Sequence, residues 1–145
     1  MTNAEDDNHT GADDRTGATP ERTDVLVVGG GPAGAATSYW LAKAGHHVTC
    51  VERKTFPRDK TCGDGLTPRA VKQLTDMGLY DALTPYHRYT GLRAVAHGVT
   101  LELQWPKHPI YPDHGFVVRR RDLDQLVFAH AADAGAHCHQ GTEAV

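Results

Sequence analysis

The sequence has 145 residues, with 15 Lys and Arg against 18 Asp and Glu and a formal net charge of −3. This length is enough for one domain with a hydrophobic core and too short for two. No apolar run is long enough to span a bilayer, and no cluster of basic and aromatic residues indicates a nucleic-acid partner.

The cysteines are widely spaced and form no C-x-x-C motif; they are Cys50, Cys62 and Cys138. An odd, scattered set argues against a disulfide framework and for a reducing compartment. The N-terminus also lacks the basic and apolar segments of a signal peptide. We therefore predict a cytoplasmic protein, and we leave open peripheral contact with a membrane surface.

The first 22 residues carry six acids and two arginines, with almost no large apolar side chain. Such a segment buries too little apolar surface to offset the entropy of ordering. We predict a disordered acidic tail over residues 1–22 and a folded unit over residues 23–145.

The segment from Asp24 to Glu52 is the most informative part of the chain. Its aliphatic run over residues 25–28 predicts a parallel strand buried on both faces. A G-x-G-x-x-G motif follows, at Gly29, Gly31 and Gly34. In dinucleotide-binding βαβ units such glycines allow a tight turn, the close approach of a pyrophosphate and the close packing of helix on strand.

The helix predicted after these glycines begins near Pro32 and ends at Gly45. Free backbone N–H groups at its start, together with the helix dipole, form an anion site that needs no positively charged side chain. A second strand ends at Glu52, whose carboxylate is placed to accept hydrogen bonds from a ribose. The pattern favours a nucleotide site, for NAD or FAD alike, over a βαβ connector without a ligand.

Residues 53–65 show no period and are predicted to form a long loop, which in a compact domain is usually functional or disordered. Thr67 and Pro68 then provide an N-cap and a first helical residue. The helix that they start is predicted to end at Gly78. Its apolar stripe consists of Val71, Leu74 and Met77.

An alternating pattern over residues 91–96 and 99–104, with His97-Gly98 between, predicts a β-hairpin. Its buried face is predicted to hold Val99, Leu101 and Leu103.

An irregular connection follows the hairpin, and then a short strand is predicted over residues 116–118 and a helix over residues 122–134, with Gly135 at its end. The last segment, residues 136–145, resembles a strand followed by a turn. Only three strands suit a parallel sheet, which is few for a doubly wound fold.

Two other groups of side chains are candidates for a site. His137-Cys138-His139 matches no zinc pattern, so we predict no metal site, and the remaining histidines are expected at the surface. Asp64 suits a proton-donating acid near a cofactor, and it equally suits a cap for the turn at Gly63 to Gly65.

Three stretches read together are more specific than any of these: GGGPAG with a later ER, FPRDKTCGDGLTPRAV, and VVRRRDLDQLV after a hairpin that ends in WP. They resemble the FAD-dependent geranylgeranyl reductase family, a branch of the flavoprotein superfamily that includes the aromatic hydroxylases. The resemblance extends from about Thr23 to the last residue. It implies an α/β fold, with a Rossmann-like FAD-binding βαβ unit and an inserted β-hairpin.

Members of that family are several hundred residues long and carry a second FAD motif of the Gly-Asp type and a substrate domain. The resemblance therefore implies that residues 23–145 are the N-terminal part of an incomplete, truncated FAD-binding domain.

The resemblance implies cofactor contacts at Gly29, Gly31, Pro32, Ala33, Gly34, Glu52, Arg53, Cys62, Gly63 and Arg120. Gly29, Gly31 and Gly34 would hold the pyrophosphate of FAD, Glu52 the adenosine ribose and Arg53 the adenine side. Cys62 and Gly63 would lie near the flavin ring and the substrate channel, and Arg120 would contact the cofactor from the start of its helix. Cys62 is the candidate catalytic residue, as a proton donor; the residue type alone suits a small apolar filler as well.

The implied reaction is hydride transfer from reduced flavin to a carbon–carbon double bond of a prenyl chain, of the geranylgeranyl or prenylated-quinone type. The implied partners are a prenylated small-molecule or lipid substrate and an electron donor, NADPH or another. Two alternatives stay open, an FAD-dependent aromatic hydroxylase of the same superfamily and a non-catalytic nucleotide-binding remnant.

Overall fold

The computed structural model describes residues 22–145, so that the predicted acidic tail lies outside the described residues except for Arg22. The chain is α/β, as predicted. In order its elements are β1 (Val25–Val28), α1 (Pro32–Lys43), β2 (Val48–Glu52), β3 (Gly65–Leu66), α2 (Pro68–Asp76), α3 (Tyr80–Leu83), β4 (His87–Tyr89), β5 (Gly91–Ala96), β6 (Val99–Gln104), β7 (Gly115–Val117), α4 (Arg120–Asp133) and β8 (His137–Gln140).

The parallel sheet has the order β1-β2-β8, which confirms the predicted set of three strands. Val28 pairs with Val51 and Glu52 with Gln140, so the three carboxyl ends lie at one edge of the sheet. Helices α1 and α4 pack against each other over this sheet. The rings of Tyr39 and His130 stack between the two helices at 4.7 Å.

Strand β1 is partly buried on one face and exposed on the other, so the predicted burial on both faces is wrong. Val27 packs against the core under the helices. Leu26 and Val28 point the other way and are 56% and 64% exposed. The reason is that both helices lie on the same face of the sheet, and no described element covers the opposite face. The aliphatic run predicted a strand correctly, but it carries no information on what packs on each side.

A second, antiparallel sheet has the order β3-β7-β4, and α2 packs against it. Thr67 is the N-cap of α2, and its Oγ1 accepts a hydrogen bond from the Ala70 N–H at 3.4 Å, as predicted. Val71, Leu74 and Met77 are buried, which confirms the predicted stripe.

Strands β5 and β6 form the predicted hairpin, and His97 and Gly98 both have positive φ at its turn. The predicted burial of one face is wrong. Val99, Leu101 and Leu103 are 60%, 55% and 55% exposed. Leu92, which pairs with Leu103 across the hairpin, is 50% exposed. Alternation identified a face with apolar side chains, but no described element packs on that face.

Helix α4 begins two residues earlier than predicted, at Arg120, and ends before Gly135 as expected. A hydrogen bond with a residue distant in sequence explains the earlier start. Asp64 Oδ1 accepts a hydrogen bond from the Arg120 N–H at 3.0 Å, so that a carboxylate from the loop stabilises the first turn of the helix. Asp64 thus caps a helix start, whereas the sequence suggested a cap for its own turn.

The prediction that the remaining histidines lie at the surface is wrong for His114, which is buried, and His130 is half-buried. His114 is buried and hydrogen bonds with Tyr80 Oη at 3.3 Å and with Arg88 at 3.2 Å. His130 Nε2 donates to the Met77 carbonyl at 2.7 Å while its ring stacks on Tyr39. The polar partners of His114 allow its burial.

The exposure of the hairpin can be tested by its effect on stability. We expect Leu83→Ala, at a fully buried position, to lower the free energy of unfolding by about 2–5 kcal/mol because it leaves a cavity. Leu101→Ala should change it by no more than about 0.5 kcal/mol, since that side chain is largely exposed. Urea unfolding of both variants measures the difference. Equal losses would mean that the hairpin face is covered in solution.

Candidate functional site

The glycine motif forms the turn between β1 and α1. Gly29 has φ of +101°, a left-handed conformation that favours glycine, and its N–H donates to the Val51 carbonyl at 2.8 Å. Helix α1 begins at Pro32 with Gly31 as an N-cap that has no side chain to cap it. The first N–H groups of the helix, including those of Ala33 and Gly34, have no acceptor within the helix and are free for an anion.

Close packing fixes this turn at two glycines. A Cβ at Gly34 would overlap the Gly29 carbonyl oxygen, so α1 sits too close to β1 for any side chain there. A Cβ at Gly30 would collide with the Phe128 ring of α4. Gly30 was missed by the sequence reasoning, although the run of three glycines could have indicated that the middle one also matters. A Cβ added at Gly31 would fit without a clash. Its nearest neighbour would be Arg58 Nη2, at 3.6 Å.

Glu52 closes the other side of the turn. It is 6% exposed, and its Oε2 accepts a hydrogen bond from the Gly30 N–H at 3.0 Å, while its Oε1 accepts one from the Lys54 N–H at 3.1 Å. Burial by itself raises the pKa of Glu52, but the hydrogen bonds from Lys54 and Gly30 and the charge of Arg58 outweigh it, and the pKa lies below its ordinary value of 4.5. Glu52 is therefore a charged acceptor at neutral pH, beside the glycine turn.

Arg58 is the residue that the sequence reasoning missed. Its Nη2 lies 3.4 Å from Glu52 Oε2, and its Nη1 lies 3.1 Å from Asp124 Oδ2. The guanidinium also stands over the Phe56 ring, 4.9 Å from the centroid. The anion site predicted from the sequence needs no positive side chain, but the structure brings a guanidinium directly beside it. A loop residue carries no periodic pattern that could have indicated this position.

Asp124 joins this loop to the start of α4. It is fully buried, and its carboxylate accepts two hydrogen bonds from Arg120, from Nε to Oδ1 at 2.8 Å and from Nη2 to Oδ2 at 3.0 Å. Hydrogen bonding to Asp124 raises the pKa of Arg120 above its ordinary range. Arg120 is thus a fixed, mostly buried charge, which does not fit a solvated residue at a helix start.

Cys62 and Arg120 line one cavity, of about 330 Å³, together with Asp64. Cys62 is exposed, and it is a lesser cause, after Asp124, of the raised pKa of Arg120. A Cβ at Gly63 would meet no atom within 4 Å, so the backbone at this point is open to a close approach. The structure therefore brings the loop cysteine and the helix arginine together.

Arg53 lies at the opposite end of the site. It is largely exposed, 4.0 Å from Glu143, and it lines a cavity of about 290 Å³ with Gly29, Glu52 and Thr142. This cavity opens at the carboxyl ends of the parallel strands, where ligands of open α/β sheets bind.

These residues fit the dinucleotide FAD. Beside Gly31 the Arg58 guanidinium is the only group of the described residues near an added Cβ, the α1 start offers N–H donors, and Glu52 offers acceptors next to a cavity. Arg58 Nε is buried and has no hydrogen-bond partner among residues 22–145. Because buried donors are normally hydrogen-bonded, this group has room for an acceptor on a ligand. Together they can hold a pyrophosphate between a helix start and a guanidinium.

Gly34→Ala should destabilise the fold by about 1–3 kcal/mol, because the added methyl group overlaps a backbone carbonyl that cannot rotate away. Gly63→Ala is the matched control, since no atom lies within 4 Å of its added methyl group. Thermal unfolding of the two variants checks this, and equal midpoints would contradict the close packing of α1 on β1.

The lowered pKa of Glu52 makes part of the stability dependent on pH. Its contribution is present above the ordinary value of 4.5 and is lost as the pH falls through the lower folded pKa, because protonation breaks its bonds to Arg58 and the backbone. We expect Glu52→Gln to be less stable at pH 7 and to lose less stability than the wild type on acidification. The exposed Glu102→Gln is the control, and parallel pH profiles for wild type and Glu52→Gln would contradict the assignment.

Comparison with known proteins agrees with this geometry. A family profile described as an FAD binding domain matches residues 22–145. The menaquinone reductase of Mycobacterium tuberculosis is 46% identical over 125 residues, which are 86% of this chain and 30% of that protein. The chain thus spans about 30% of the length of the menaquinone reductases that it matches.

Two solved structures extend the comparison. A myxobacterial chondrochloren halogenase, an FAD-dependent enzyme, matches with a TM-score of 0.77 and 25% identity, over 85% of this chain and 29% of that one. A geranylgeranyl bacteriochlorophyll reductase-like protein of Thermoplasma acidophilum matches with a TM-score of 0.66 and 27% identity, over 82% of this chain and 30% of that one. The predicted resemblance and the predicted cofactor, FAD, are confirmed, and the chain belongs to the FAD binding domain family of flavin-dependent oxidoreductases.

Proposed function

We propose that residues 23–145 are the N-terminal part of the FAD-binding domain of an oxidoreductase that reduces carbon–carbon double bonds of a prenyl chain. The observation that carries this proposal is the 46% identity with menaquinone reductases, which extends over 86% of this chain and so is not limited to the glycine motif. The substrate class that follows is a prenylated quinone or a related prenyl lipid. An apolar substrate of this kind favours contact of the protein with a membrane surface.

The cofactor contacts that we propose follow the geometry of the site. Gly29, Gly31, Pro32, Ala33 and Gly34 would hold the pyrophosphate at the start of α1. Glu52 would accept hydrogen bonds from the adenosine ribose, and Arg53 would border the adenine side. Cys62 and Arg120 would lie towards the flavin ring, because they share the cavity at the other end of the loop, and Gly63, next to Cys62 in the chain, would lie there with them.

Bound reduced flavin supplies a hydride, and the chain's own contribution is to position the alkene and to deliver a proton. Cys62 is the proposed proton donor. Arg120 lines the same cavity as Cys62, so its guanidinium charge lies on the side of the loop that holds the thiol. Asp124 holds Arg120 in place through two hydrogen bonds.

A second cavity supports an apolar substrate. It has a volume of about 240 Å³ and is lined largely by Pro68, Pro106, Pro112, Trp105 and Tyr111. A cavity of roughly 150 Å³ holds benzene, so this one has room for an isoprene unit, which has one carbon fewer. Thr67 lines this cavity. Even if the chain between Cys62 and Thr67 were fully extended, the two residues would lie no more than about 18 Å apart.

An oxygen-activating enzyme is the second candidate, either a halogenase or an aromatic hydroxylase. The match with the chondrochloren halogenase, at a TM-score of 0.77, favours it. A nucleotide-binding remnant without catalysis is the third. The three differ in their products, since reduction adds two hydrogens to a substrate, oxygen activation adds an oxygen or a halogen, and a remnant leaves the substrate unchanged.

The test uses the protein produced from the complete reading frame that contains residues 1–145, loaded with FAD and reduced chemically without oxygen. We expect a polyprenyl quinone to gain two hydrogens in its tail, as measured by mass spectrometry. Cys62→Ala should lower the rate by about 10²–10⁴-fold, the usual contribution of a positioned proton donor, and it should retain its flavin absorbance. Cys138→Ala, in β8, is the control and should keep the wild-type rate.

Two results would contradict the proposal. A hydroxylated or halogenated product in air, with no reduced product without oxygen, would favour the second candidate. A Cys62→Ala variant with the full rate of reduction would leave the reaction class intact and remove Cys62 as the proton donor.

A further inference from the structure

Arg58 lies where three parts of the nucleotide site meet. Its Nη2 is 3.4 Å from Glu52 Oε2, and its Nη1 is 3.1 Å from Asp124 Oδ2. Nη2 is also 3.6 Å from the place that a Cβ added at Gly31 would occupy. The side chain is 11% exposed. A guanidinium at this place contacts the proposed ribose acceptor and the proposed pyrophosphate cradle at the same time.

The hydrogen-bond capacity of Glu52 sets up a competition. Each carboxylate oxygen has two lone pairs. Oε2 already accepts from the Gly30 N–H and from Arg58, whereas Oε1 accepts from the Lys54 N–H alone. One acceptor position is therefore free, while a ribose offers two hydroxyl groups. The second hydroxyl group can bond to Glu52 only if Arg58 gives up its contact, which at 3.4 Å is a long and weak one.

One donor of the Arg58 guanidinium group, the Nε–H, still lacks an acceptor. Arg58 Nε is buried, and within the described part of the chain no atom accepts its hydrogen. Arginine donors form a planar fork that matches the oxygens of a phosphate. Phosphate oxygens at the start of α1 would lie close to this guanidinium, since Nη2 is 3.6 Å from the place of a Cβ added at Gly31, and the start of α1 also favours an anion.

Asp124 limits how far Arg58 can move. Its buried Oδ2 is shared between Arg58 Nη1 at 3.1 Å and Arg120 Nη2 at 3.0 Å, so the guanidinium is held at one end while its other end faces Glu52 and Gly31. A small rotation about this anchor exchanges one contact for the other.

We infer that Arg58 is a specificity-determining residue of the nucleotide site. It competes with the ribose for Glu52 and pairs with the pyrophosphate when one is bound, with Asp124 as its positioning residue. The site therefore favours nucleotides that carry a diphosphate over nucleosides, which lack the group that draws Arg58 away from Glu52. This inference rests on the proposed placement of FAD along Gly31 and Glu52.

The experiment compares the affinities of ADP and adenosine by calorimetry in wild type and Arg58→Gln. Loss of a charge-assisted contact should weaken ADP binding by about tenfold to a hundredfold. Adenosine binding should stay unchanged or become tighter, because Glu52 loses its competitor. Lys54→Gln is the charge-matched control; its side chain borders the same cavity as Arg58, and it should change the two affinities little at physiological salt.

A purely structural role for Arg58 would weaken ADP and adenosine alike, and this result would overturn the inference, as would unchanged ADP binding. Arg58→Lys provides a second measurement if Arg58→Gln does not fold. It keeps the charge without the planar fork, so ADP affinity should fall between those of wild type and a fully weakened site. Equal ADP affinity in Arg58→Lys and wild type would overturn the role of the fork.

Failure of this inference can be told from failure of the proposed function. Opposite effects of Arg58→Gln on ADP and adenosine would support the inference even in a protein that does not reduce prenyl chains. Equal effects would overturn it even in one that does. A wild-type chain that binds neither ADP nor FAD would overturn both.

Discussion

Four buried or mostly buried charges of alternating sign organise the site, and they run from the end of β2 to the first turn of α4. They are Glu52, Arg58, Asp124 and Arg120. Each one depends on its neighbours, because an unpaired charge in such surroundings is strongly destabilising. The loop after β2 has no helix or strand up to Gly65, and this chain of charges holds it against the parallel sheet on one side and α4 on the other.

The same chain of charges separates the site into two chemical ends. Towards the glycine turn, Glu52 and Arg58 present an acceptor and a donor to a nucleotide. Towards the loop cysteine, Arg120 presents its charge to Cys62. Asp124 contacts both arginines, so the side chain that is least accessible to solvent sets the orientation of the groups at either end. We therefore regard Asp124 as the centre of the arrangement.

Local chemistry was predictable from sequence, and packing partners were not. Thr67 with Pro68, His97 with Gly98, and Gly135 each act on the few residues around them, and the elements that they bound were found. Whether a face of β1 or of the hairpin is exposed depends on which elements pack on it. An alternating or continuous apolar pattern carries no information on those elements.

The missed features of the site have the same origin. Arg58 reaches Asp124 from far along the chain, and Asp64 caps a helix that starts more than fifty residues later. No local pattern around Arg58 or Asp64 encodes such contacts. The glycine motif was found because its turn, helix start and acid are brought together within one βαβ unit, where spacing alone determines the geometry.

Among residues 22–145, β1 pairs with β2 alone, and its other edge is free, which has a consequence for strand order. From β1 the chain crosses to β2 and then to β8, always in the same direction, and both crossovers place their helices on one face. A strand added at the free edge of β1 would reverse that direction, and in open α/β sheets the crevice at such a switch point receives the ligand. Gly29 stands at the carboxyl end of β1, so the glycine turn lies beside the point at which the winding of the sheet would change.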